Sequence, residues 1–78
     1  MIELFQFEGC PFCRKVRLKL EELDLEYVSI PCSGSSKNRA RLIELGGKEQ
    51  VPFLVDTDTD TKMYESDDII AYLEENVI

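Results

Sequence analysis

Two cysteines three residues apart, Cys10 and Cys13, carry the strongest chemical signal in the chain, within the stretch EGCPFCRK at 8–15. Thiols at that spacing suit a redox pair, half of a metal site, or plain packing of two small apolar groups. A zinc centre needs about four ligands. The chain has no histidine and one further cysteine, Cys32, so one copy has too few donors for a metal. Pro11 fits the first position of a helix, where its missing N–H is no loss. With Cys10 at the N-cap, its sulfur meets unpaired backbone N–H groups and the positive end of the helix dipole, and both favour the thiolate. The thiolate is the nucleophile of disulfide exchange. Arg14 and Lys15 follow at once and add positive charge. Side chains three apart on a helix lie roughly 5–6 Å from each other, and a slight tightening brings them to disulfide geometry. Cys10 is therefore the expected exposed attacker. Cys13, one turn further in, is the expected resolving thiol.

The elements that must position this pair are legible from pattern. IELFQF (2–7) alternates and reads as a strand. Val16, Leu20 and Leu23 recur at helical spacing, which predicts a helix over 11–23. LEYVSI (25–30) alternates again and is stopped by Pro31. Strand, helix and strand in so few residues make a βαβ unit, with parallel strands and a right-handed crossover expected. CSGSS (32–36) is a loop. A second helix is expected over 37–45, with Ala40, Leu42 and Ile43 inward and Gly46 and Gly47 ending it. PFLVD (52–56) and KMYE (62–65) form a hairpin about the polar turn TDTD (57–60). Ser66 is the expected N-cap of a last helix, with Asp67 and Asp68 near its positive end and Ile69, Ile70, Leu73 and Val77 on its apolar face. The order β-α-β-α-β-β-α predicts a four-stranded mixed sheet flanked by three helices, in one domain over 1–78.

Bulk composition narrows the partners. The net charge is −7, which argues against nucleic acid and anionic membranes. Apolar runs such as VPFLV are too short to span a bilayer, and MIELFQF carries no basic leader. Four of the nine basic residues, Arg14, Lys15, Arg17 and Lys19, cluster just after the cysteines. Lys19 reads as part of a solvated face. Three thiols cannot form a fully paired disulfide framework, which points to a reducing cytoplasm, where a CxxC is redox-active or metal-binding rather than structural. Cys32 reads as a spare surface thiol. Asp56, Asp58 and Asp60 mimic the start of a calcium loop, but Thr61 stands where such a loop needs glycine, so a plain hairpin turn is expected.

CPFC after the first strand, VP at 51–52 and ESDD at 65–68 together resemble the glutaredoxins, and equally the N-terminal domain of glutathione transferases. The resemblance runs along essentially the whole chain and implies a thioredoxin-like α/β fold. It implies glutathione as co-substrate, with no tightly bound cofactor. Pro52 read alone starts a strand; the resemblance implies instead a cis Val51–Pro52 bond beside the cysteines. The Val51 N–H and C=O would then face the cleft and pair with an extended thiol peptide. Glu65, Ser66 and Asp67 match the segment that takes the γ-glutamyl end of glutathione, through helix N–H groups and an acidic side chain. Lys48 matches a basic residue for the glycine carboxylate. Two positions depart from the pattern: Glu8 stands where a basic residue is usual, and Phe12 replaces the usual tyrosine. The transferase catalytic tyrosine or serine and its helical second domain have no counterpart, so conjugation is not expected.

The expected activity is thiol–disulfide exchange on protein disulfides or glutathionylated proteins, by a monomer. One alternative is a dithiol carrier reduced by a flavoprotein thioredoxin-type reductase, motivated by Glu8. Another is a glutathione-dependent [2Fe–2S] carrier, against which Pro11 argues.

Overall fold

The structure is a computed structural model that describes residues 1–76; Val77, expected on the last helical face, lies outside them. The elements are β1 (Ile2–Gln6), α1 (Pro11–Glu22), β2 (Val28–Pro31), α2 (Asn38–Gly46), β3 (Phe53–Asp56), β4 (Thr61–Met63) and α3 (Ser66–Asn76). The strands lie in the order β2-β1-β3-β4. β1 pairs parallel with β2 and antiparallel with β3, and β3 pairs antiparallel with β4. This is the four-stranded mixed sheet that the pattern predicts and the thioredoxin-like fold that the resemblance implies.

Side chains alternate across the sheet and divide the core in two. Ile2, Leu4 and Leu54 point to one face, where they meet Val16 and Leu20 of α1 and Ile69 and Leu73 of α3. Phe5, Phe53 and Val55 point to the other, with Ile30, Cys32 and Leu42. One face thus holds α1 and α3 together, and their N-termini carry the residues singled out above. Lys19 is paired on the surface of α1 rather than left to solvent alone. Its ammonium bridges Glu22 at 2.8 Å and Glu74 of α3 at 3.0 Å, tying the two helices along their length.

Several boundaries differ from the pattern for identifiable reasons. α1 ends at Glu22 because Asp24 turns left-handed (φ 57). The Asp24 and Leu25 N–H groups bond back to Glu21 and Leu20, closing a Schellman-type end. Leu25 and Tyr27 then pack on the first core cluster without entering the ladder, so β2 starts at Val28. Pro31 closes β2 rather than preceding its end, tolerated at the tip of an edge strand. In α2 only Leu42 is buried; Ala40 and Ile43 are exposed. The docking stripe is Arg39–Leu42–Gly46, at helical spacing. The Arg39 guanidinium lies over the preceding loop and donates to the carbonyls of Ser33 and Cys32 at 2.9 and 2.8 Å. Gly46 admits Tyr64 and Phe53, whose ring carbon would stand 2.9 Å from a Cβ there. Arginine and glycine do not read as apolar, which hides this stripe.

Asp56 is buried at the end of β3 and accepts from the Tyr72 hydroxyl at 2.7 Å and the Asp58 N–H at 3.1 Å. Its carboxylate is thus held by the turn and α3, and no group of three or more metal-binding side chains occurs among the described residues.

Candidate functional site

The turn Phe7–Cys10 delivers the first cysteine, with the Cys10 N–H bonded to the Phe7 carbonyl at 3.2 Å. Cys10 is extended (φ −84, ψ 117) and caps α1; its sulfur accepts from the Cys13 N–H at 3.4 Å. The local sequence explains this: glycine and proline flank the cysteine, and the first turn of α1 holds no acidic residue to compete for the free N–H groups. Cys10 is 7% exposed and Cys13 fully buried. Cys10 is thus not the open thiol expected. Capping turns its sulfur inward along the helix end. Both cysteines are free thiols. Burial, and then the hydrogen bond to Cys10, push the Cys13 thiol from an ordinary 9.0 up to about 12, opposed in part by the Phe7 backbone and Arg17.

A cleft of about 470 Å³ is lined by Phe12, Gln50, Val51, Pro52, Glu65, Ser66 and Asp67; neither Cys10 nor Cys13 is among these residues, and Phe12, between them in the chain, joins the cleft to the start of α1. Phe12 is 59% exposed and forms the wall next to the cysteines. The Val51–Pro52 bond is cis. Among the described residues Val51 makes no backbone hydrogen bond, so its peptide groups are free to pair with an extended ligand. α3 closes the far side. Its first intrahelical bond runs from the Ile69 N–H to the Glu65 carbonyl at 2.9 Å, so Glu65, in left-handed backbone (φ 69), takes the capping place one residue before the expected Ser66. Ser66 is the buried first helical residue, and Asp67 lies exposed in the first turn. The Asp67 carboxylate pairs with Lys15 of α1 at 2.7 Å, spanning the gap between the two helix starts.

Lys48 is not among the lining residues. Its ammonium lies 5.3 Å from the centre of the Tyr64 ring, and the Tyr64 hydroxyl both accepts from its N–H (3.1 Å) and donates to its C=O (2.8 Å). Cys32 is not a surface thiol. It is fully buried in the second core cluster, and burial raises its pKa. Gln50, missed in the sequence, lines the cleft and donates to Glu65 at 3.2 Å; its place directly before Val51-Pro52 is the signal that could have found it.

Residues 4–77 match the family described as the glutathione S-transferase N-terminal domain. The chain belongs to that family. Within it the glutaredoxin side of the resemblance also holds: glutaredoxin 3 of Escherichia coli K12 is 26% identical over 51 residues, 65% of this chain and 61% of that protein. The transferase of the Antarctic clam Laternula elliptica superposes with a TM-score of 0.83 at 33% identity, over 95% of this chain and 34% of that one. Glutaredoxin 2 of Salmonella typhimurium, solved with glutathione, shares the fold at a TM-score of 0.84 and 24% identity, over 96% and 33%. A glutathione transferase homologue from Drosophila mojavensis, also with bound glutathione, gives 0.82 at 27%, over 92% and 33%. This glutathione S-transferase N-terminal domain thus spans about a third of the solved chains it matches, and about three fifths of the curated glutaredoxin.

Proposed function

We propose that the chain is a glutaredoxin-like thiol–disulfide oxidoreductase that takes glutathione as co-substrate. The observation that carries this reading is the Cys10 sulfur at the N-cap of α1, accepting from the Cys13 N–H, with Phe12 of the same helix start lining a cleft walled by a cis-proline segment and a second helix start. A thiolate strengthens the N–H bond it accepts there. The Cys10 sulfur attacks one sulfur of a substrate disulfide; the other leaves as a thiolate and takes up a proton. Cys10 is then joined to substrate, and its influence on Cys13 changes. Two of the causes that hold the Cys13 proton, the hydrogen bond and the charge of Cys10, disappear once Cys10 is in a disulfide. Cys13 can then lose its proton and attack Cys10, releasing the reduced substrate and leaving a Cys10–Cys13 disulfide. Two glutathione molecules return the pair to thiols and depart as glutathione disulfide. Alternatively glutathione attacks the mixed disulfide directly.

Glutathione binding is supported by the relatives solved with it. The Val51 backbone suits the cysteinyl part of the tripeptide. The α3 start with Ser66 suits the γ-glutamyl carboxylate, and Asp67 and Glu65 suit its ammonium. Lys48 reaches the glycine carboxylate only by leaving the Tyr64 ring. The test is turnover of a glutathionylated peptide with glutathione, glutathione reductase and NADPH, against thioredoxin reductase and NADPH. Turnover in neither system would reject the reading.

A flavoprotein reductase as electron donor is the second reading, favoured by the exposed Glu8 beside the cysteines, which repels an anionic tripeptide. Activity with the reductase alone identifies it. A [2Fe–2S] carrier predicts coloured protein after anaerobic purification.

A further inference from the structure

Arg17 is one turn beyond Cys13 on α1 and enters none of the steps above, yet its guanidinium is the most heavily engaged in the neighbourhood of the cysteines. One terminal nitrogen donates to the Gln6 side-chain oxygen and to the Phe7 carbonyl (3.3 Å), and the other to the Glu8 carbonyl (3.4 Å). Gln6 is buried at the end of β1, and its amide donates onward to Ser29 of β2 at 2.6 Å. The gripped carbonyls belong to the turn that delivers Cys10. Phe7 is its first residue, and its carbonyl receives both Arg17 and the Cys10 N–H. A single carbonyl therefore joins Arg17 to the residue that carries the first thiol.

Resting on the thiol-exchange reading, we infer that Arg17 is a positioning residue: its forked guanidinium clamps the Phe7 and Glu8 carbonyls, fixes the turn that presents Cys10, and supplies the fixed cation next to the pair. Planarity matters, because two carbonyls and an amide oxygen are met from one rigid group. Lysine offers the same charge from a single nitrogen and cannot span them. The same arrangement bears on Glu8. Its carbonyl is held by Arg17 while its side chain stands exposed.

The test separates clamp from charge. Arg17→Met keeps the apolar stem, and Arg17→Lys keeps the charge. For each, the rate of Cys10 alkylation by iodoacetamide at pH 7 and the Cys10–Cys13 dithiol–disulfide equilibrium against glutathione buffers are measured, with circular dichroism as the check on folding. Loss of the clamp on the turn, together with its charge, is expected to slow Cys10 alkylation about tenfold in Arg17→Met. It also favours the disulfide over the dithiol by about tenfold, about 30 mV for this two-electron couple. Arg17→Lys is expected to restore the equilibrium but not the alkylation rate. Folded Arg17→Met with both values within about twofold of the parent overturns the inference. Should that variant not fold, Arg17→Lys decides: a parental alkylation rate overturns the clamp, and a slowed rate supports it. Neither readout uses a substrate, so a chain that turned over no glutathionylated peptide would still report on Arg17.

Discussion

Two helix starts face each other across the cleft, and they are furnished in opposite ways. The first turn of α1 has no acid, is capped by a sulfur and is followed by Arg14 and Lys15. The first turn of α3 carries Asp67 and Asp68 behind the capping place of Glu65. Both ends offer the same free N–H groups and the same positive dipole. At α1 those groups meet a sulfur of the protein's own, which accepts from the Cys13 N–H. At α3 they meet exposed carboxylates at the edge of the cleft. On the proposed function, one backbone feature serves as nucleophile support in one place and as a ligand cradle in the other, and the side chains placed around it separate the two uses.

The comparison breaks most sharply at the sulfur. Cys10→Ser is expected to bring turnover of glutathionylated peptide to background, because the hydroxyl that replaces the thiol is not a competent nucleophile at neutral pH. Cys13→Ser is expected to retain part of it with saturating glutathione. Equal loss in both, in the coupled assay, would remove the division of roles between them.

The buried thiol gives a pH effect with a definite sign. Folded Cys13 holds its proton up to about pH 12, against an ordinary 9.0. Between these values the unfolded chain has released the proton and the native chain has not. Stability is therefore unaffected by this group below pH 9 and falls as pH rises towards 12, by at most about 1.4 kcal/mol per pH unit. Urea titrations across that window should show the slope, and Cys13→Ala should flatten it.

Exchanging the furnishings tests that separation directly. Arg14→Glu places an acid just after the first turn of α1 and is expected to slow Cys10 alkylation about two- to fivefold. Asp67→Asn removes one from α3 and is expected to weaken glutathione binding by a similar factor, read by calorimetry. If Arg14→Glu acted on binding and Asp67→Asn on the thiol, the two helix starts would have each other's roles. The smallest effect belongs to the Lys15–Asp67 pair that bridges them. Both side chains are solvated, and a double-mutant cycle on thermal stability should return no more than about 1 kcal/mol.

Much of this was legible in the residues because the relevant signals are local. Pro11 after Cys10, alternation in IELFQF and the glycine pair at 46–47 each act through their own stretch of backbone, and the parallel βαβ pair and the hairpin follow from the order of the elements. What stayed hidden depends on partners far along the chain. Cys32 looks like a surface thiol in a loop, but its N–H bonds to Gln6 and carries its side chain into the core beneath Phe5 and Leu42. Arg17 and Lys19 read as one basic run, yet one grips the turn before the cysteines and the other ties α1 to α3. Lys48 sits at a suggestive spacing from Val51, but the ring that claims it lies sixteen residues away. Only the folded chain brings Tyr64 there.

That ring carries a last implication. A methyl group added at position 46 would stand where the Tyr64 phenol lies, so the phenol would have to leave first. With it would go both bonds to the Lys48 peptide, which fasten the loop running on to Gln50 and Val51. The cis-proline wall of the cleft would loosen through a residue that is not part of its lining, and a survey of cleft residues alone would miss the cause.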